Sequence, residues 1–203
     1  MRNVIRPRLS LENKSSKSKI FYRLARFFDL SKWVILIAIV IYLGHLFVVS
    51  IFAVSGASME PNFHDKEYLI VNKTFRIIDR IQRGDVAIFK FPGDPNELYI
   101  KRIIGLPGDT IEIKDKAVWV NGRKMIEMYL TKDMVTDKLS NQQKWHLGAN
   151  EYFVMGDNRE NSNDSRVWGS LPKENIVGIA NFVILPAAMA GKIPIPDYYT
   201  SSK

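Results

Sequence analysis

WVILIAIVIYLGHLFVVSIFAVSGASMEP, residues 33–61, is where one kind of sequence ends and another begins. Its first 22 residues, Trp33 to Val54, carry no formal charge, and only His45 and Ser50 are clearly polar. As a helix rising about 1.5 Å per residue, the run covers roughly 33 Å, close to the thickness of a hydrocarbon core. A buried core helix is usually shorter and keeps a polar stripe, which is missing here on every face. A cleaved targeting segment would have an apolar region of only about 7 to 15 residues, nearer the N-terminus. The reading is a retained spanning helix over residues 33–54. The small-residue turn Gly56-Ala57-Ser58 follows at once, so the Ser58 hydroxyl is expected at the bilayer surface.

The net charge of +8 is not spread along the chain. Nine Lys/Arg against Glu12 and Asp29 place +7 before Trp33, and the remaining 171 residues carry +1. The basicity belongs to a juxtamembrane tail, so no nucleic-acid partner is expected. Basic residues flanking a span mark the cytoplasmic side, which places the N-terminus inside and the rest of the chain on the extracytoplasmic side of a plasma membrane crossed once. The expected organisation is a basic cytoplasmic tail with an interfacial helix over residues 1–32 and a transmembrane helix over 33–54. An extracytoplasmic catalytic-size domain over 55–190 and a loose tail over 191–203 complete it. Met1 to Lys19 is expected to be disordered or to lie on anionic lipid, and Ile20 to Leu30 alternates aromatics, leucines and arginines at helical spacing. No cysteine is present, which rules out a disulfide framework, a thiol nucleophile and a zinc-thiolate site.

Beyond Val54 the pattern turns to short β-rich runs bounded by Gly, Pro, Asp or Asn. These are Tyr68–Asn72, Asp85–Phe91, Tyr99–Ile104, Thr110–Ile113, Ala117–Val120, Tyr152–Met155 and Ile176–Leu185. Asn121-Gly122 after AVWV is a type I′ hairpin signal. The fold class is mainly β, with antiparallel sheets following one N-terminal helix. Residues 127–148 are polar and irregular and read as an excursion from that domain.

A hydrolase without cysteine needs Ser, Thr or a metal-bound water. His45, His64 and His146 are far apart in sequence and form no zinc-binding pair. The acidic run from Asp157 has Arg159 at the third position of a calcium loop and Trp168 at the twelfth, which does not fit such a loop. No metal or cofactor is expected. Ser58 has the most distinctive setting, since the small residues before it let a backbone approach and its peptide N–H can face an oxyanion. Its base is either His64, six positions on, or a lysine. Lys101 shares a strand face with Tyr99 and Ile103. To act as a base it must fall from a pKa of about 10.4 to about 8, a desolvation of roughly 3 kcal/mol. A serine that only makes a turn and a lysine that only snorkels from a strand, as Arg102 would, are the alternatives at this point. The polar run Gly156 to Arg166 is either a solvated loop or a platform braced by charge-assisted pairs among Asp157, Asp164 and Arg166.

Together SGASMEP at 55–61, GDVAIFKF at 84–91, YIKRIIGLPGDTI at 99–111 and GDNRENSNDSRVWGSLP at 156–172 resemble, in order, the boxes of bacterial type I signal peptidases. These are membrane-anchored Ser/Lys endopeptidases that remove signal peptides from exported proteins. The resemblance covers roughly residues 50–185. It implies Ser58 as nucleophile, Lys101 as general base and Ser162 as the hydroxyl that orients the lysine, with Asp157, Asp164 and Arg166 bracing the loop. Gly56 stands where some members have a serine in the oxyanion hole, which implies a hole built from backbone N–H groups. Phe52, Val54 and Ile100 match positions lining the pockets for small side chains at −1 and −3 of the cleavage site. Asn62 stands where many members have Thr. The resemblance further implies a small barrel-like β core, no cofactor, signal-peptide-bearing preproteins and membrane lipid as partners, and proximity to the secretion translocon. A membrane-tethered β domain that only binds a partner, and a self-cleaving Ser/Lys repressor-type protease, are the competing readings.

Overall fold

The computed structural model describes residues 12–47, 49–74, 81–131, 133–196 and 198. It divides the chain into two compact units, Met1–Leu46 and Phe47–Lys203.

The described part of the first unit is helix α1, Glu12–Phe47, up to Leu46. With no proline between Pro7 and Pro61, nothing interrupts its backbone hydrogen bonds. The expected interfacial helix and the expected span are therefore one continuous helix. Its stretch Arg26–Gly44 is 19 residues long, has a mean hydropathy of 1.9 and buries none of its length against protein, so it is long and apolar enough to cross a membrane. Of the tail expected to be disordered, residues 1–11 lie outside the described residues.

The end of the helix corrects the expected boundary. Residues 49–53 of the apolar run are not helix but strand β1, Val49–Ala53, antiparallel to β2, Tyr68–Asn72. VSIFA is β-branched and aromatic, and a free strand partner outweighs the weak helical preference of such residues. The turn carrying Ser58 thus grows out of the β unit, not directly out of the helix.

In the second unit a larger sheet has the order β1-β2-β11-β3-β4-β9-β10, where β11 is Ile176–Leu185, β3 Val86–Phe91, β4 Asp94–Gly105, β9 Glu151–Met155 and β10 Leu171–Pro172. A two-residue strand β12, Gly191–Lys192, pairs with β11. A smaller sheet has the order β7-β6-β5-β8, with β5 Thr110–Lys114, β6 Ala117–Val120, β7 Arg123–Lys124 and β8 Lys144–His146. All these pairings are antiparallel. The fold is mainly β with one N-terminal apolar helix.

Strand β3 shows why the central strands read as continuous apolar runs. Val86 and Ile88 enter one core with Val54, Met59, Leu69 and Ala180, while Ala87 and Phe89 enter another with Ile103, Val154 and Ile179. Both faces of this part of the sheet are covered. A third core, built on Ile111, Val118, Val120 and Trp145, packs the small sheet against Phe153 and Met155 of β9. Asn121 and Gly122 both have positive φ, +51° and +78°, at the turn joining β6 to β7, as the type I′ signal requires.

The C-terminal segment differs from the loose tail expected over 191–203. Beyond β12, Ile193 is buried in the core around Val54, and Tyr198 packs into the core of the small sheet. Residues 197 and 199–203 lie outside the described residues.

Candidate active site

Ser58 sits in a tight turn after β1. Buried Met59 and Phe63 anchor it, and the N–H groups of Asn62 and Phe63 both donate to the Met59 carbonyl. Gly56 precedes it with φ +88°, a conformation that L side chains resist. The Gly56 N–H, a candidate donor for an oxyanion, instead donates to Asp65 Oδ1 at 3.0 Å. Among the described residues no acceptor engages the Ser58 N–H, which leaves it, with the N–H groups of Ala57 and Met59, as a free donor of this turn.

Lys101 lies in β4 opposite Ala87 of β3 and is 4% exposed. Its Nζ is 2.7 Å from Ser58 Oγ and donates to the Ile100 carbonyl at 2.9 Å. Burial lowers its pKa to about 8 against the pull of the Asp164 and Asp157 carboxylates, which favour the charged form. His64, the other base weighed, holds Glu67 Oε1 at 3.1 Å with a half-exposed side chain and is not among the residues lining the cavity next to Ser58.

That cavity has a volume of about 500 Å³. Phe52, Val54, Leu69, Ile88 and Ile100 supply apolar wall, and Ser58 and Lys101 open onto it. The three residues expected to line substrate pockets thus share one cavity with the expected dyad.

The run from Gly156 to Arg166 is folded in on itself and onto the Ser58 turn. The Asn158 N–H donates to the Ser58 carbonyl at 3.1 Å, and Asn158 Nδ2 donates to that of Ala57 at 3.1 Å. A Cβ on Gly156 would collide with Ser162 Oγ and with the Ser58 carbonyl oxygen, so glycine is what lets this loop approach the turn. Asp157 accepts two bonds from Arg102, at 2.8 Å from Nε and 2.6 Å from Nη2. Asp164 accepts from Arg166 Nε and Nη2, both at 2.9 Å, and from the Gly156 N–H at 3.0 Å, while capping the short helix Ser165–Trp168. Ser162 Oγ is buried and has no hydrogen-bond partner among the described residues. Its expected role on Lys101 is therefore not visible as a bond, since Nζ is engaged by Ser58 and Ile100.

A family model described as "Signal peptidase, peptidase S26" matches residues 27–185, more than three quarters of the chain. The chain belongs to this signal peptidase family. It is 37% identical over 183 residues to a signal peptidase I of Bacillus amyloliquefaciens, covering 85% of this chain and 95% of that one. It is 39% identical over 161 residues to signal peptidase I T of Bacillus subtilis (strain 168), covering 75% and 82%. A crystal structure of a signal peptidase I from Enterococcus faecalis V583 aligns with 30% identity and a TM-score of 0.42, covering 49% of this chain and 96% of that one.

In this member of the family Arg102 closes one of the open alternatives. A side chain snorkelling from a strand edge was one of the readings, yet Arg102 is 2% exposed. It holds Asp157 with two bonds, donates to the Gly84 carbonyl at 2.9 Å and stacks on Tyr129 at 4.4 Å. Because β4 is buried on both faces here, neighbouring Lys101 and Arg102 both point into protein. The clue was available: YIKRII has no exposed side in a strand this apolar.

Other members of the network carried no local signal. Arg159 is buried and donates to both oxygens of Glu127, to Thr136 Oγ1 and to the Tyr129 hydroxyl. Glu127, Tyr129 and Thr136 all come from the stretch 127–148 read as an excursion. Asn62 Nδ2 bridges the Asp157 carboxylate and the Tyr129 carbonyl, each at 2.9 Å. The irregular stretch is thus the outer wall of the loop that supports Ser58.

Proposed function

We propose that this chain is a membrane-anchored serine endopeptidase that cleaves signal peptides from exported preproteins, with Ser58 as nucleophile and Lys101 as general base. One observation supports this above all: a buried lysine whose Nζ lies 2.7 Å from a serine hydroxyl on the wall of an apolar cavity. A module that only binds has no use for burying an amine at a cost of roughly 3 kcal/mol.

In the neutral form of Lys101 the Ser58 hydroxyl donates to the Nζ lone pair. As Oγ attacks the scissile carbonyl its proton passes to Nζ, and the developing oxyanion takes the free Ser58 N–H. The protonated lysine then gives the proton to the leaving amine. Neutral again, it takes a proton from the water that hydrolyses the acyl-serine. Ser162 Oγ, without a partner in the resting state, is the hydroxyl available to steady Nζ once Ser58 is acylated. Asp157, Asp164 and Arg166 act at one remove, by fixing the loop that holds the Ser58 carbonyl. Phe52, Val54 and Ile100 line the apolar room for small side chains at −1 and −3. No cofactor or metal takes part.

Helix α1 serves as the anchor, with the basic tail cytoplasmic and residues 49–198 extracytoplasmic. Preproteins still held in lipid beside the secretion translocon are the substrates. Protease added to intact cells is expected to degrade the domain and spare the tail, and the opposite pattern would reverse this topology.

The direct test is cleavage of a purified preprotein by the full-length chain in detergent, with the product's N-terminus sequenced. Phe at −1 is expected to block it. Because the base must be uncharged, kcat/KM should rise roughly tenfold per pH unit up to about pH 8 and then level off. A profile that is flat from pH 6 to 9 rules out a lysine base.

A further inference from the structure

The cavity beside Ser58 has two chemically different sides, and the alternation of β4 divides them. Leu98 and Ile100 lie on one face of the strand, where Ile100 packs with Phe52, Val54 and Ile88. Glu97, Tyr99 and Lys101 follow one another on the other face. Asn161 and Asn163, which flank Ser162 in the chain, complete this polar rim. Among the described residues that line the cavity, Glu97 is the one carboxylate and Lys101 the one cation. With Lys101 neutral, the wall keeps only the negative charge of Glu97. We propose that Glu97 selects the mature part of the preprotein, favouring a lysine or arginine and disfavouring an acidic residue among the first three residues after the cleaved bond. This rests on the endopeptidase reading above.

Which wall serves which side of the scissile bond follows from the path of the proton. The leaving amine is the new N-terminus of the mature chain, and it takes its proton from Lys101 Nζ, so the mature chain departs on the Nζ side of Ser58. Nζ lies 5.3 Å from the centre of the Tyr99 ring, which makes that ring the floor of the exit. The apolar wall is left to the small side chains at −1 and −3.

The rim is built to hold a carboxylate at this exit. The Tyr99 ring stacks on Phe91 at 4.7 Å with an interplanar angle of 7°, and Phe89 meets it edge-on at 6.2 Å. Burial raises the Tyr99 pKa, the Glu97 carboxylate beside its hydroxyl raises it further, and the Asn163 amide lowers it. The hydroxyl thus stands between an acceptor and a donor, with Glu97 drawn towards the ring. Asp94 adds a field of the same sign. Lys90 pairs with Leu98 across the hairpin and so belongs to the other face. Among the described residues no cation forms an ion pair with Glu97, and its side of the rim is open to a cation from the substrate. Along the strand Glu97 lies roughly 13 Å from Lys101, a span that about two extended residues and a long basic side chain cover. Glu97 is exposed, so the selection has the size of a surface ion pair, about fivefold between a basic and an acidic residue.

To test this, the full-length chain in uncharged detergent is given one preprotein in versions carrying Lys, Gln or Glu at +1, +2 or +3, and kcat/KM is measured for each. The expected result at low salt is a Lys-to-Glu ratio of about five at one or more of these positions. It should fall towards one in 1 M salt, where the screening length is about 3 Å. Glu97→Gln should bring the ratio to about one, and Glu97→Lys should invert it. Because the ratio is taken within each enzyme, a general loss of turnover or stability in a variant cancels. Equal rates for all versions would overturn the selection and leave the proposed function standing, as would a ratio that Glu97→Gln does not change. The same replacements at −2 serve as the control, and a charge effect confined to −2 would overturn the assignment of this rim to the mature side. If no version is cleaved, the endopeptidase reading falls and the selection with it.

Discussion

Lys101→Met is expected to stop preprotein cleavage while making the folded chain more stable at neutral pH. Loss of either member of a pair that acts as a unit costs on the order of 10⁴-fold in turnover, and Ser58→Ala should cost about as much. The stability gain comes from the same burial that makes the lysine a base. Its pKa is lowered from the ordinary lysine value of 10.5 to about 8 on folding. The folded state therefore binds fewer protons than the unfolded state between those two values, and stability rises with pH across that window. The penalty is absent above about pH 10.5 and fully present below about pH 8, where it amounts to roughly 3 kcal/mol. Methionine fills similar space without a charge. It forfeits the bonds to Ser58 and Ile100, worth about 1 kcal/mol each, so a net gain of about 1 kcal/mol is expected near pH 7. Urea unfolding at pH 7 and pH 10 measures it. A variant less stable than the parent at pH 7, or a difference that does not shrink by pH 10, would show that the lysine is not held at a desolvation cost.

The second large effect is structural and lies behind the site. Asp157→Asn leaves the Arg102 guanidinium buried without its carboxylate, and breaking one partner of such a pair costs about 3 to 5 kcal/mol. That is a large share of the roughly 5 to 15 kcal/mol that holds a domain folded. The double substitution Arg102→Met with Asp157→Leu removes both charges and should recover most of the loss in denaturant midpoint. Turnover should not recover with it, because Asp157 also holds Asn62 and the loop whose Asn158 N–H grips the Ser58 carbonyl. If the double variant is as unstable as the single one, the pair is not the source of the penalty. If its turnover returns with its stability, the loop does not position Ser58.

The parts of this protein that were legible beforehand are those whose signal is local. Strand β2 and strand β6 coincide with their apolar runs because β-rich residues bounded by turn formers are a local signal that needs no distant information. Asn121-Gly122 named its own turn. By contrast, Val49–Ala53 is as apolar as the helix before it, and its state depended on Tyr68–Asn72, fifteen or more residues on, offering a partner edge. The strap at Ile193 and Tyr198 looked like tail because its two anchors are separated by polar and proline residues.

What the sequence determined by itself is the chemistry available: one long uncharged run, a charge asymmetry around it, no thiol, and four ordered boxes containing Ser58 and Lys101. Spacing left His64 and Lys101 both open as the base, the resemblance implied Lys101, and the tertiary structure puts Lys101 Nζ 2.7 Å from Ser58 Oγ although 43 residues separate them along the chain. It also turned Arg102, Arg159 and the stretch 127–148 into support for the site. Burial and ion pairing are properties of elements brought together, and no residue carries them alone.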